Sequence, residues 1–239
     1  MKCIAVYHIR FEDLGSLAAP IEQAGYAIEY RHAGAAPLST AEWVDTDLIV
    51  LLGGPIGVHD TAAYPWLQDE LIGLERRLAQ QRPTLGVCLG AQLMAVALGG
   101  EVTRRTDGRG VQAAEIGWST LDIASDAELL APLRHGPVLH WHGDNIMLPA
   151  GIPALASTRW TPCQAFAVGR HALGLQCHVE FEADALEEWL SGHAVELAHT
   201  GVDLDRLRRD NEQYGDRLAH AARDLLRRWL DGIHRMAQA

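Results

Sequence analysis

The segment Thr84-Leu85-Gly86-Val87-Cys88-Leu89-Gly90-Ala91-Gln92 joins two kinds of local structure. Its first residues are apolar and predict a strand, whereas the alanine- and leucine-rich run that begins at Ala91 predicts a helix. Cys88 therefore lies on a strand-to-helix turn, in the pattern Gly86-x-Cys88-x-Gly90. This is the Gly-x-Ser-x-Gly pattern of a nucleophile elbow, with a thiol in place of the hydroxyl.

The two glycines of this pattern have a steric explanation. A sharp turn strains the backbone of its central residue and crowds the positions two residues before and after it, so Gly86 and Gly90 do best without a Cβ. We expect the sulfur of Cys88 to be exposed at the N-terminus of a helix, where the dipole and the unpaired N–H groups favour the thiolate. A buried structural cysteine is the alternative, but packing alone rarely produces an elbow pattern.

Composition excludes several classes of function. The 239 residues suffice for one large α/β domain. A net charge of -11 argues against binding to nucleic acid or to an anionic membrane, both of which select basic surfaces. No apolar run is long enough to cross a bilayer, and the opening run is not a signal peptide. The four cysteines are scattered without a zinc pattern, which predicts a reducing, cytoplasmic location; they are Cys3, Cys88, Cys163 and Cys177.

Along the chain, apolar strands alternate with helices, which predicts a parallel sheet. Short strands separated by Gly and Pro turns follow between residues 114 and 176 and predict hairpins added to that sheet. From residue 183 onward the pattern is helical, with apolar faces that could pack on the core and leave surface for a partner or a homodimer. The basic residues of these helices are interspersed with Asp and Glu, which favours a solvated face.

A second chemical segment contains His178-Val179-Glu180. On an extended segment, His178 and Glu180 project to the same side, while Cys177 turns the other way into the core. A carboxylate next to an imidazole orients the ring and stabilises the imidazolium that forms when the ring takes a proton from a thiol. With the elbow upstream, we predict that His178 is the base and Glu180 the residue that orients it.

Two loops could complete a site. Gly53-Gly54-Pro55 follows a buried strand at the edge of the sheet where open α/β folds place their ligands, although an ordinary tight turn has the same composition. The segment His140-Trp141-His142-Gly143-Asp144 suggests a His-x-His-x-Asp metal site, but Gly143 should end the strand before Asp144. We therefore predict no metal and place His142 either at the rim of the site or directly behind the residues that line it.

Together these segments resemble the class I (triad) glutamine amidotransferases, and most closely stand-alone proteins similar to the amidotransferase part of GMP synthase. The resemblance covers most of residues 1–182 and rests mainly on the elbow combined with the downstream His-x-Glu pair. It implies an α/β three-layer sandwich with a mostly parallel central sheet, added antiparallel hairpins and C-terminal helices. It also implies a catalytic core over residues 1–182, with residues 183–239 as a helical extension packed on it.

The resemblance further implies a mechanism without a cofactor. Cys88 would attack the side-chain amide of glutamine, with His178 as base and acid and Glu180 orienting it. The main-chain N–H groups of Gly54 and Leu89 would hold the oxyanion, and ammonia would leave behind a γ-glutamyl thioester. The residues expected to contact the substrate are Gly53, Pro55, Gln92 and His142. One departure is Val179, where the family commonly has proline.

Three functions remain open at this point. The first is an amidotransferase or glutaminase that delivers ammonia to a separate synthetase, because no phosphate loop of an ATP-pyrophosphatase domain occurs in these residues. The second is a self-sufficient γ-glutamyl hydrolase, peptidase or transferase that uses the same thioester on γ-glutamyl peptides or amides. The third is a non-catalytic redox or chaperone-like module, which the downstream His-x-Glu pair disfavours.

Overall fold

The computed structural model describes residues 1–107, 110–111 and 113–237. Among them, eight strands form a central sheet in the order β2-β1-β3-β4-β12-β11-β10-β7. The first five strands of this order pair in parallel, and the last three add antiparallel pairs at one edge. The bounds are β1 Lys2–Tyr7, β2 Ala27–His32, β3 Leu48–Leu51, β4 Thr84–Val87, β7 Asp122–Ile123, β10 Ala154–Ser157, β11 Ala165–Val168 and β12 Ala172–Leu175.

Helices cover both faces of this sheet. The bounds are α1 Ala18–Gln23, α2 Thr40–Asp45, α3 Trp66–Ala79, α4 Leu89–Ala97, α5 Leu186–Gly192, α6 Ala194–Thr200 and α7 Leu204–Ala237. The inner strands β1 and β3 are apolar on both sides, as expected for strands that helices cover on each face. Cys3 and Ala5 of β1 point into the core shared with α1 and α7, whereas Ile4 and Val6 point into the core shared with α2, α3 and α4. The three-layer α/β architecture is confirmed.

The added strands only partly follow the hairpin prediction. Strand β12 forms a hairpin with β11 as predicted, but it also pairs in parallel with β4 and so belongs to the parallel part of the sheet. Two antiparallel pairs form small sheets of their own. They are β5 Glu101–Arg104 with β9 Asp144–Met147, and β6 Glu115–Ser119 with β8 Val138–His142.

The C-terminal helices contribute buried side chains to the core on one face of the sheet. Helix α7 covers one face of the sheet through buried residues such as Leu218, Leu225 and Trp229, which join the same apolar cluster as α1. Helix α5 buries Trp189 and Leu190 in that cluster too. Within the described part of the chain, no helix combines the length and hydropathy that a bilayer crossing requires.

Candidate active site

Cys88 occupies a strained turn between β4 and α4. Its backbone has φ +48° and ψ -108°, a conformation that side chains rarely adopt. A Cβ on Gly86 would lie 2.6 Å from the backbone of Gly90, and one on Gly90 would lie 2.1 Å from the carbonyl oxygen of Leu51. The steric explanation for the two glycines of the elbow is therefore confirmed.

The surroundings of the thiol differ from the expectation. Cys88 is only 7% exposed, so the prediction of an exposed sulfur is wrong. Burial raises the pKa of the thiol, and the nearby His178 only partly opposes this effect. The amide of Gln176 donates to Sγ at 3.6 Å, and the carbonyl oxygen of Trp141 lies 3.8 Å from it. The elbow alone therefore does not ionise this cysteine, because the effect of desolvation exceeds that of His178.

His178 and Glu180 form a buried pair, with the two side chains 1% and 2% exposed. Nδ1 of His178 lies 2.6 Å from Oε1 of Glu180. The other side of the ring is within hydrogen-bonding reach of the Cys88 thiol. Cys177, the residue before this pair, is fully buried in the core, as the alternation predicts.

Main-chain bonds hold this segment in an extended form beyond the end of β12. The N–H of His178 donates to Leu139 of β8 at 2.9 Å, and the carbonyl of Glu180 accepts from the N–H of Ser16 at 2.8 Å. Burial lowers the pKa of His178, but the charge of Glu180 and the hydrogen bonds of the ring raise it well above its ordinary value of 6.5. The imidazole is thus a strong proton acceptor directly beside the thiol.

The glycine loop after β3 lies against these groups. A Cβ on Gly53 would be 3.1 Å from the His178 ring, and one on Gly54 would be 3.4 Å from the side chain of Leu89. Leu89 begins α4, so its N–H has no acceptor within the helix. The structure therefore brings both predicted oxyanion donors close to Cys88.

A cavity of about 490 Å³ opens above the thiol. This size is typical of small-molecule sites. Four of the predicted residues line it together with Cys88, namely Gly54, Pro55, Gln92 and His142. Gln92 is buried and donates to Oε1 of Gln176 at 3.1 Å, so the two amides form one hydrogen-bonded unit beside the sulfur.

His142 belongs to a second polar cluster under the cavity wall. Its Nε2 lies 3.4 Å from Glu115, and ligand atoms of Glu115, His140 and His142 all lie within 4.8 Å of one another. The carboxylate of Glu115 already accepts from two threonine hydroxyls and from the amide of Gln164. The hydrogen bond with His142, the charge of His140 and the two threonine hydroxyls together hold the pKa of Glu115 down at about 2 against the opposing effect of burial. The metal pattern His-x-His-x-Asp does not form, because Asp144 begins β9 in another sheet.

Sequence reasoning missed several residues of the site. Glu12 lines the cavity and is 3% exposed, with its carboxylate 3.3 Å from Nε2 of His193. His193 and Glu196 come from the junction of α5 and α6, so the C-terminal helices form part of the cavity wall. Glu12 follows β1 at the sheet edge that carries the site, so its position in the sequence could have indicated a place in the site. The sequences of the short helices α5 and α6, in contrast, do not indicate where these helices pack.

Trp189 of α5 is another residue that the motifs did not reveal. Its ring stands edge-on to His178, with ring centroids 4.9 Å apart and an interplanar angle of 87°. Its indole N–H donates to the carbonyl of Phe11 at 3.1 Å. The C-terminal helices therefore also contact the predicted base directly.

Comparison with known proteins identifies the family to which this chain belongs. The family model "Glutamine amidotransferase class-I" matches residues 15–193. The glutamine amidotransferase-like protein YfeJ of Salmonella typhimurium is 29% identical over 206 residues, which is 83% of each chain. GMP synthase of Synechocystis is 39% identical over 136 residues, which is 55% of this chain but 22% of that enzyme. The chain thus spans about a fifth of the GMP synthases it matches.

Solved structures share the fold across nearly the whole chain. A glutamine amidotransferase from Thermotoga maritima superposes with a TM-score of 0.83 at 29% identity, covering 96% of this chain and 98% of that one. One from Methylobacillus flagellatus gives 0.84 at 25% identity, covering 97% and 94%. The family match includes the elbow, the glycine loop and the His-x-Glu pair. The chain belongs to the class I glutamine amidotransferases.

Proposed function

We propose that this chain hydrolyses the γ-carboxamide of glutamine to glutamate and ammonia through a γ-glutamyl thioester on Cys88. Membership of the family supports the reaction class. The observation that carries the proposal is the buried arrangement of thiol, imidazole and carboxylate, with Glu180 2.6 Å from the far nitrogen of His178. A structural cysteine requires no such base or orienting group.

In the first half of the reaction, Sγ of Cys88 attacks the amide carbon while Nε2 of His178 takes the thiol proton. Because burial raises the pKa of the thiol, this proton transfer has to accompany the attack. The carbonyl π electrons move onto oxygen, and the N–H groups of Gly54 and Leu89 stabilise that oxyanion. When the intermediate collapses, the C–N bond breaks and His178 gives its proton to the departing nitrogen, which leaves as ammonia.

In the second half, a water molecule attacks the thioester carbon as His178 takes one of its protons. A second oxyanion forms in the same place, and the C–S bond then breaks. The proton returns from His178 to the sulfur, and glutamate leaves. The side chain of Glu180 lies against Nδ1 of His178 and stabilises the imidazolium in both halves.

The substrate contacts in this proposal come from the residues that line the cavity. Pro55 and Gln92 would contact the glutamine chain beside the sulfur, and the buried His142 would form part of the cavity wall. Gly53, which does not line the cavity, would act from behind it, next to His178. Arg104 and the carboxylates of Asp60 and Glu196 also line the cavity and offer charges of both signs, which suits a zwitterionic amino acid.

A second candidate is hydrolysis of a larger γ-glutamyl amide or peptide. The size of the cavity favours it, because about 490 Å³ exceeds what a single small amino acid fills. The chemistry at the acyl carbon is the same whether ammonia or a larger amine departs. If glutamine is hydrolysed far faster than every γ-glutamyl amine tested, this candidate is refuted.

Delivery of ammonia to a separate synthetase is the further part of the proposal. The matched GMP synthases carry a region of this kind within a longer chain, which supports a separate partner as the acceptor of the ammonia. Addition of that partner should increase glutamate release and convert the ammonia into an aminated product.

The proposal is tested by mass spectrometry of Cys88 together with an assay of glutamate release. On incubation with glutamine, we expect a transient γ-glutamyl adduct on Cys88 and steady release of glutamate. Cys88→Ala should abolish both, whereas Cys177→Ala, which removes a neighbouring buried thiol, should retain both. Absence of an adduct and of product with glutamine and with a panel of γ-glutamyl amides would refute the proposal.

A further inference from the structure

His8 lies directly after β1 and contacts the glycine loop, although the mechanism above does not use it. Its side chain is 1% exposed. Nδ1 is 2.9 Å from the carbonyl oxygen of Gly53, and Nε2 is 3.2 Å from Oε2 of Glu70 on α3. The ring also stacks on Trp66, with centroids 5.6 Å apart and planes 24° apart. His8 is thus held on both ring nitrogens and on one face.

Both partners of the ring are hydrogen-bond acceptors. A carbonyl oxygen and a carboxylate each need a donor, so both ring nitrogens carry a proton and the ring is an imidazolium. Burial lowers the pKa of His8, but the hydrogen bond and charge of Glu70, the bond to Gly53 and the charge of Glu12 together raise it above the ordinary value. Glu70 and Glu12 are the acidic groups that act on this ring, one from α3 and one from the segment after β1.

The carbonyl that His8 binds belongs to the same peptide unit as the N–H of Gly54. A trans peptide is planar, so its C=O and N–H point in opposite directions. Once the Gly53 oxygen is fixed toward His8, the N–H of Gly54 points away from His8. Gly54 lines the cavity above Cys88, and a Cβ on it would come within 2.6 Å of the His8 Cβ.

We propose that His8, anchored by Glu70, is a positioning residue that locks the Gly53–Gly54 peptide with its N–H directed at the oxyanion. This inference rests on the proposed function, in which Gly54 is an oxyanion donor. A lock is needed because two successive glycines leave the peptide free to rotate, and a flipped peptide would turn a carbonyl oxygen toward the developing negative charge. The positive charge on His8 also polarises this peptide, which strengthens its N–H as a donor.

The competing explanation is that His8 and Glu70 form a purely structural ion pair that holds β1 and α3 together. The two explanations predict different effects on alkylation of Cys88 and on amide hydrolysis. Alkylation of Cys88 by iodoacetamide displaces iodide from a tetrahedral carbon and forms no oxyanion, so it needs the thiol and His178 but not the Gly54 N–H. Amide hydrolysis needs all three.

The test therefore compares hydrolysis of glutamine with alkylation in the same variants. His8→Phe keeps a ring against Trp66 but removes the donor, and it should lower kcat about 100-fold, as expected for a misplaced oxyanion donor, with KM and the alkylation rate changed less than about threefold. His8→Asn places an amide nitrogen near the position of Nδ1, and it should keep kcat within about tenfold of the wild type. His171→Phe, a buried histidine before β12, is the matched control and should leave both rates unchanged.

The outcomes separate this inference from the proposed function. If the wild-type chain hydrolyses glutamine and His8→Phe is equally active, the positioning role of His8 is refuted while the proposed function stands. Alkylation that falls in parallel with hydrolysis, or a His8→Asn variant as impaired as His8→Phe, overturns it as well. A wild type that cleaves no γ-glutamyl amide although Cys88 is alkylated refutes the proposed function and this inference with it. If His8→Phe fails to fold, Glu70→Gln decides, since a weaker anchor should lower kcat about tenfold without slowing alkylation.

Discussion

Replacement of Glu180 by glutamine probes the proton transfer directly. The glutamine has the same shape, so the loss should come from the charge that Glu180 places 2.6 Å from Nδ1 of His178. A hydrogen bond to a charged group is worth about 1.5–3 kcal/mol, which corresponds to roughly 10–150-fold in rate at 1.36 kcal/mol for each factor of ten. We therefore expect Glu180→Gln to lower kcat/KM for glutamine by about 100-fold.

The pH dependence of kcat/KM in the same variant measures the effect of the Glu180 charge on His178 independently. His178 acts as a base only when neutral, so activity should rise with pH as the imidazolium loses its proton. Glu180 raises the pKa of His178, which places this rise above pH 6.5 in the wild type. Without that charge the pKa falls, and the rise should move to lower pH in Glu180→Gln.

The assay is glutamate release measured as kcat/KM across pH, with Glu182→Gln as the control. Glu182 is two residues further along, half-exposed and paired with Arg223, so its replacement should change neither the rate nor the profile. An unshifted profile in Glu180→Gln would contradict the electrostatic role. A loss as complete as that of Cys88→Ala would show that Glu180 does more than orient and stabilise the ring.

Two further predictions concern the scaffold. Gly90→Ala should destabilise the chain by about 1–3 kcal/mol or more and abolish turnover, because the added Cβ would meet a carbonyl of β3 at 2.1 Å. Thermal unfolding checks it against Gly232→Ala, where nothing lies within 4 Å of the new Cβ and unchanged or higher stability is expected. Trp189→Ala should cost about 3–5 kcal/mol in urea unfolding and also lower kcat, because the indole packs on His178. A Trp189→Ala variant with wild-type kcat would mean that the core alone orients the base.

The parts of the site that carry a local motif could be predicted from the sequence. The elbow follows from glycine sterics, and the structure shows the strained φ at Cys88 with no room for a Cβ at Gly86 or Gly90. The apolar run of β8 is delimited by Gly and Pro, so its bounds can be predicted in the same way. These signals are local, so they need no knowledge of the tertiary fold.

What the sequence does not reveal depends on tertiary packing. Cys88 is buried among groups from other parts of the chain, including Trp141 of β8 and Gln176 just beyond β12. The ionisation of the thiol cannot be judged from the elbow alone, because desolvation is a property of the whole site. His193 reaches the cavity only because α5 and α6 turn back over it, and periodicity shows which face of a helix is buried but not against what.

The order of the sheet explains why separate motifs form one site. Strands β1, β3, β4 and β12 are consecutive neighbours in parallel, and each ends just before a residue of the site. His8 follows β1, Gly53 follows β3, Cys88 follows β4 and His178 follows β12. The carboxyl ends of parallel strands lie at one edge, so four segments that are distant in sequence meet there without any long loop. The outer wall of the cavity comes instead from loops and from α5 and α6, so these parts rather than the strand ends should determine which amine can leave.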